Sequence, residues 1–417
     1  MKVIHLSTSD WNGGAAIAAK RIVESQQHLS ELQANLFVQS QKSKDKFIYS
    51  AKESAFSKAY RIYNRYADEL LIRLLTVQSR SRFTFPYLGE DISQIELISN
   101  ADILNLHWIN GGFLSLDSLR KLSKLNKPIF WTLHDMWAFT GGCHYASDCN
   151  RFADHCCNCP SLFFKSDRDI SYKIFNDKLE LFNRLNLNII TCSNWLTQEA
   201  TKSKLLKDKK VFAIPNPIQT EIFKPTNKKK AREKLKLPID RKIILIGAMN
   251  LKDERKGFRY LIEALNILKK LKFDKEIELV FFGKLDNDSL QKIPFETNQL
   301  GMLKTEDEIV MAYNSADVYV APSLQDNLPN TVMESLSCGV PVVAFNVGGI
   351  PDMVDHMQNG ILAELKSSKD LAEGIHLLLS DDSLYEKFSN AAREKVLKNF
   401  DQQIVAKKYF ELYQTVL

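Results

Sequence analysis

The sequence predicts an α/β protein built from two doubly wound parallel-sheet domains, and three observations lead there. The chain has 417 residues, too many for one compact core and suited to domains of roughly 100–200 residues each. Short β-branched runs bounded by loops alternate with helix-like stretches, the signature of βαβ units. A breaker-rich segment, IPNPIQTEIFKP, splits that alternation into two series.

In the first series, strands are expected near 2–7, 34–40, 103–108, 128–134, 188–193 and 211–215; in the second, near 242–248, 277–283, 317–322 and 341–346. The expected domains are 1–215, carrying a cysteine-rich insertion at 141–160, and 216–400. A closing helix over 401–417 either stays with the second domain or crosses back to the first. KKKAREKLKLP reads as a short basic helix stopped by Pro238. Two such sheets side by side leave a cleft at the C-terminal ends of their strands, where open α/β folds bind ligands.

Composition narrows the class. Charged residues make up 25% and apolar ones 45%, near globular averages and unlike a disordered chain. A net charge of +6 is too small for the basic stripe of a nucleic-acid binder. Residues 41–82 hold ten Lys/Arg against four Asp/Glu, an excess equal to the whole net charge. The start MKVIHLS lacks the layout of a secretory signal, and no run of about 18 apolar residues occurs. A cytoplasmic setting is expected, where clustered cysteines more often hold metal or serve redox chemistry than form disulfides.

The first strand runs into STSDWNGGAAIAAKRIV, whose Gly13–Gly14 step lets backbone amides approach a ligand at a helix start. A dinucleotide-binding reading fits poorly, because G-x-G-x-x-G is missing and the second strand ends in Gln39 and Gln41 instead of a ribose-binding acid. The richest stretch is APSLQDNLPNTVMESLSCGVPVVAFNVGGIPDMV. It reads as a strand, a polar loop, a helix opening near Pro329–Asn330 and stopping at Gly339, and a strand delivering Gly348–Gly349. Asp326 lies in the loop and Glu334 eight positions later in the helix. Two carboxylates and a helix N-terminus thus surround one polar ligand.

This segment resembles the donor site of family-4 glycosyltransferases, GT-B enzymes in which a glutamate, seven residues and a second glutamate precede a G-x-P-V-V strand and a Gly-Gly step. The likeness runs over nearly the whole chain, through the first Gly-Gly loop, IPNPI, KAREKLKLP and KGFRYLIEAL. It implies two Rossmann-like domains facing across a cleft. It also implies transfer of a sugar, with retention of configuration, from a UDP- or GDP-sugar to a saccharide or lipid-linked saccharide in polysaccharide or glycan assembly.

By the same resemblance Glu334 holds the donor ribose, and the loop Asp326, Asn327, Leu328, Pro329 and Asn330 contacts sugar and phosphate. Gly13 and Gly14 approach the donor, and Lys256 neutralises the departing diphosphate. His134, in FWTLHDMW, hydrogen-bonds the donor sugar, with Asp135 orienting it or reaching the acceptor. Asp326 replaces the family's glutamate, and Ala248 stands where an arginine is common, leaving Arg255 as the candidate substitute. For His107, in NLHW, acceptor binding and simple packing both stand. No catalytic metal or other cofactor is expected, because the departing diphosphate itself can take the acceptor proton. The alternatives are a nucleotide-sugar epimerase of the same fold and a non-catalytic glycan- or nucleotide-binding relative.

The stretch GGCHYASDCNRFADHCCNCP holds five of the seven cysteines. Cys143, Cys149, Cys156 and Cys159 are spaced C-x5-C-x6-C-x2-C, and four thiolates would close a tetrahedral structural zinc site. Free packed thiols and disulfide or redox use compete with that reading, and His144, His155 and Cys157 are replacement ligands. Cys192 and Cys338 read as core. Over 54–82, Phe56, Tyr60, Tyr63, Ala67, Leu70, Leu71, Leu74 and Leu75 recur at helical spacing, with Lys58, Arg61 and Arg65 on another face. That is either an amphipathic helix for an anionic membrane surface or a domain helix with a solvated basic side.

Overall fold

Residues 1–51, 55–77, 81–250, 253–271, 276–284 and 287–416 are described by a computed structural model of the chain. Arg80 and the side chains of Phe56 and Ala248, named above, lie outside the described residues. The chain forms two units: Met1–Asn216 together with Val405–Leu417, and Pro217–Ile404.

The first unit runs β1 (Lys2–Ser9), α1 (Gly14–Gln26), β2 (Gln33–Ser40), β3 (Ile48–Ser50), α2 (Ala55–Leu75), α3 (Glu96–Ser99), β4 (Ile103–Leu106), α4 (Leu116–Ser123), β5 (Ile129–Leu133), α5 (Ile170–Arg184), β6 (Leu187–Thr191), α6 (Asn194–Lys202) and β7 (Lys210–Ala213). Its sheet has the order β3-β2-β1-β4-β5-β6-β7, with parallel pairs throughout. Alternate residues feed two cores: Ile4, Leu6, Leu106 and Trp131 on one face, and Val3, Leu36, Ile103 and Phe130 on the other. Burial on both faces explains why these strands read as continuous apolar runs.

The second unit runs α7 (Lys228–Leu235), β8 (Lys242–Asn250), α8 (Phe258–Leu268), β9 (Ile277–Lys284), α9 (Asn287–Leu290), β10 (Glu296–Gly301), α10 (Glu306–Ser315), β11 (Val318–Ala321), α11 (Asn330–Ser337), β12 (Val342–Phe345), α12 (Ile350–Met353), β13 (Gly360–Ala363), α13 (Ser368–Ser380) and α14 (Asp382–Asn399). Its sheet is parallel in the order β10-β9-β8-β11-β12-β13. Each sheet reverses its order once, at β1/β4 and at β8/β11, and doubly wound sheets bind ligands at that point.

The last helix, α15 (Gln402–Gln414), places Val405, Tyr409, Leu412 and Tyr413 in the first unit's second core. Asn105 Nδ2 donates to Tyr413 Oη at 2.8 Å. The breaker-rich segment is an ordered strip clamped within the second unit. Ile218 exchanges backbone hydrogen bonds with Phe400 and Gln402, and the Arg393 guanidinium saturates the carbonyls of Thr220, Phe223 and Ser337. α7 stops at Lys236, in the left-handed region, before Pro238 is reached. Its Arg232 is buried against Asp317 (2.7 Å), so this basic helix is not simply solvated.

α2 turns Ile72 inward onto Phe83, Phe85 and Leu162, with Leu71 and Leu75 against them. Tyr63, Tyr66, Leu70 and Leu74 form an outward stripe, each more than half exposed. Arg61, expected on the solvated basic side, is instead 10% exposed and paired with Glu90 at 2.9 Å. Among the described residues, no helix is long and apolar enough to cross a membrane.

Candidate active site

At the β8/β11 switch, residues 70 positions apart meet. Lys256 ends the single 3-10 turn Glu254–Lys256, and its Nζ lies 2.6 Å from Asp326 Oδ2 in the loop after β11. Asp253 caps that turn: Oδ1 accepts from the Arg255 amide, and Oδ2 pairs with the Arg255 guanidinium at 2.6 Å. The neighbouring cations therefore diverge. Arg255, the expected substitute for the arginine missing at position 248, pairs with Asp253 as Lys256 pairs with Asp326.

Two glycines let these segments touch. A Cβ on Gly257, φ +65°, would fall 1.8 Å from the Pro322 carbonyl oxygen; one on Gly348, φ +58°, would fall 1.8 Å from that of Asp326. The Gly349 amide donates to the same Asp326 oxygen at 3.2 Å. The second Gly-Gly step thus grips the Asp326 loop by its backbone. Asn327 and Leu328 are buried, and Pro329 leads into Asn330 at the first position of α11. Glu334, buried on the same helix, accepts from Tyr313 Oη at 2.9 Å. Burial, and then the charge of Glu334, push the Tyr313 hydroxyl well above its ordinary pKa, so it remains the donor. Tyr313 packs edge-on against Phe282 and Tyr319, and Tyr319 Oη donates to the Gly247 carbonyl at 2.9 Å. Neither tyrosine sits in a recognisable motif, and the sequence reading missed both.

In the first unit, Gly13 caps α1 at φ +100° with open space where a Cβ would point. The same unit holds a row of three histidines, His5 within β1 and His107 and His134 just past the ends of β4 and β5. His5 Nδ1 lies 2.8 Å from His107 Nε2, and His107 Nδ1 lies 3.0 Å from His134 Nε2. His5 Nε2 donates to Gln26 Oε1 at 3.0 Å, which orders the row. His107 then donates to His5, His134 donates to His107, and His134 Nδ1 keeps its lone pair, facing Cys192 Sγ at 3.7 Å. Burial pushes His5 and His134 down to about 4 and His107 well below its ordinary value, so all three rings are neutral.

Two expectations are corrected here. His107 is 2% exposed with both nitrogens engaged, so its ring holds His134 and does not bind an acceptor. Asp135 does not orient His134; its carboxylate accepts from His144 Nδ1 at 2.7 Å and from the Trp137 amide at 2.9 Å. Burial opposes the Asp135 charge, yet His144 and that amide hold the carboxyl below its usual range. Thr84 Oγ1 completes the network, donating to His144 Nε2 at 3.0 Å and accepting from Asn110 Nδ2 at 2.8 Å. With both nitrogens engaged, His144 is not a replacement metal ligand, and His155 sits on the surface against Asp154. The seven cysteines are free, and burial pushes the Cys143 thiol up to about 12.

Residues 227–395 match the family described as Glycosyl transferases group 1. The N,N'-diacetylbacillosaminyl-diphospho-undecaprenol alpha-1,3-N-acetylgalactosaminyltransferase of Campylobacter jejuni is 29% identical over 51% of the chain and 56% of its own length. The capsular polysaccharide biosynthesis glycosyltransferase CapM of Staphylococcus aureus is 28% identical over 55% of the chain and 62% of its own length. The chain thus spans little more than half of these relatives. Among solved structures, Anabaena HepE in complex with UDP-glucose superposes with a TM-score of 0.63 at 16% identity, covering 100% of both chains.

Proposed function

The chain belongs to the group 1 glycosyltransferases and has the GT-B fold, and on that premise we propose that it transfers a sugar from a UDP-sugar to a lipid-linked saccharide with retention of configuration, in polysaccharide or glycan assembly. The observation that carries this reading is the Lys256–Asp326 pair at the β8/β11 switch, with Glu334 one helix beyond it. Lys256 leaves Asp326 for the donor diphosphate and stabilises the charge that grows as the glycosidic bond breaks. Asp326, released, accepts from the sugar hydroxyls, and Glu334, held by Tyr313, accepts from the ribose. His134, partly exposed just beyond β5, is the first-unit side chain assigned to the donor sugar. The departing diphosphate takes the acceptor proton, so these side chains only position reactants and stabilise charge.

The donor base follows the HepE complex, and the lipid-linked acceptor follows the name of the Campylobacter relative. A membrane face fits such an acceptor. The exposed stripe Tyr63, Tyr66, Leu70 and Leu74 is flanked by exposed Lys58, Arg65 and Arg73, and such a helix lies on anionic lipid. Co-sedimentation with anionic vesicles is expected for the wild type, and Tyr66→Ser with Leu70→Ser should abolish it; binding unchanged by this pair would remove the membrane face.

Thermal unfolding with UDP-, GDP- and ADP-sugars tests the donor site. At about 100 times its dissociation constant, the true donor adds roughly 2.7 kcal/mol of stability. A response to UDP-sugars that Glu334→Ala loses is expected. Silence from every nucleotide sugar, or a variant that responds like the wild type, would refute the assignment.

A further inference from the structure

The loop between β5 and α5 holds a cluster of thiols that sugar transfer does not use. Cys143, Cys149, Cys156 and Cys159 line one cavity of about 20 Å³, room for a single atom-sized guest. Each of the four lies close enough to the other three for their charges to interact, in all six pairings. Cys157, which also borders the cavity, lies between the two ends of the C-x2-C turn, and Arg151 holds its carbonyl at 2.8 Å.

Burial by itself keeps these thiols protonated, yet backbone amides are already aimed at two of the sulfurs. The Gly141 amide donates to Cys156 Sγ at 3.1 Å, and the Ser161 amide donates to Cys159; a thiolate accepts such bonds far better than a neutral thiol. Lys178 is fully buried nearby, its ammonium donating to the carbonyls of Trp137 and Thr140. Burial lowers its pKa to about 7, an effect that the nearby Cys156, Cys143 and Asp135 oppose.

We propose that Cys143, Cys149, Cys156 and Cys159 bind one structural zinc ion as a closed tetrathiolate. Binding Zn²⁺ releases four protons from the four thiols to solvent and leaves a centre of charge about −2. The two amides offset part of that charge, and the charge in turn would hold Lys178 in its protonated form. Four sulfurs leave no position for a substrate, so the ion shapes the loop and takes no part in chemistry. Among the described residues, no three His, Cys, Asp or Glu side chains stand at coordinating spacing as they are. Zinc entry therefore rotates the thiols inward to about 2.3 Å from the metal. The loop fixed in this way carries His144, whose carbonyl accepts from the Met136 amide two residues beyond His134.

Zinc content of the full chain, purified without a metal-affinity step and without added zinc, tests the site. About one zinc per chain is expected, falling below about a tenth in Cys156→Ser and in Cys159→Ser while Cys157→Ser keeps the wild-type value. Less than about a tenth of an equivalent in the wild type, or equal loss in Cys157→Ser, overturns the assignment. Should the serine variants fail to fold, wild-type protein produced with cobalt(II) chloride gives the same answer. Intense visible bands of tetrahedral cobalt with sulfur-to-metal charge transfer support the site; a pale octahedral spectrum, or none, sinks it. So does a thiol titration of the unfolded chain that finds fewer than the seven cysteines reduced.

Discussion

At Gly257 and Gly348 a missing side chain decides whether the loops around Lys256 and Asp326 can assemble. Each carries a positive φ and a carbonyl oxygen 1.8 Å from where a Cβ would stand, so neither the backbone angle nor the contact can relax alone. Gly348→Ala should cost at least about 2 kcal/mol, visible as a lower urea midpoint together with lost nucleotide response. Lys256→Ala should behave differently. Its side chain is 29% exposed, so the unfolding midpoint should barely move while kcat/KM for transfer falls by about a hundredfold or more; an unchanged rate would remove Lys256 from the chemistry. Asp326 and Glu334 were singled out because a loop–helix–Gly-Gly pattern frames them, and Lys256 because NLKDERKGFRYL resembles the family. Tyr313, Thr84 and His5 were not, because they act through long-range hydrogen bonds that leave no spacing in the sequence.

Adjacent strands β1, β4 and β5 each deliver one histidine to the same row, which makes the row a property of the sheet and not of any segment. Its rings titrate near 4 where they are given a value, below the ordinary 6.5. The unfolded chain therefore takes up protons between pH 6.5 and 4 that the folded row refuses, so stability is full above that window and falls as pH drops through it. By pH 5 the loss is about 2 kcal/mol for each proton excluded. Urea unfolding at pH 7 and pH 5 should show it, with a smaller difference in His5→Gln; an identical difference would mean that the row does not set the slope. Legibility at this scale follows burial only in part, since the exposed edge strand β7 was foreseen. The central strands, apolar on both faces, could be read from β-branched runs alone. β3, β10 and β13 were not foreseen, and all three lie at sheet edges; β10, ETNQLG, has no buried residue at all. A solvated edge such as β10 carries too little apolar pattern to separate a strand from a loop, whereas β13, buried at three of four positions, was missed for another reason.

At the scale of the whole chain, the sequence boundary near residue 215 lies beside the division at Asn216 and Pro217, because Pro215, Pro217 and Pro225 interrupt both helix and strand. Where the last helix packs could not be read, since an amphipathic stripe does not name its partner. Tyr409 and Tyr413 supply fully buried rings to the first unit's core. Tyr409→Ala should therefore cost about 3–5 kcal/mol, and hydrogen exchange should report the loss in β1, β4 and β5; protection lost only in the second unit would contradict this packing. The same packing sets an order of events during synthesis. A domain made first usually finishes folding first, while the ribosome is still making the next one. Here the first unit's core stays open on one face until residue 413 has emerged, after every strand of the second unit has been made. A nascent chain halted anywhere before that point presents Val3, Phe130 and Ile190 without their cover, so the half of the protein translated earliest is the half that chaperones would have to shelter longest.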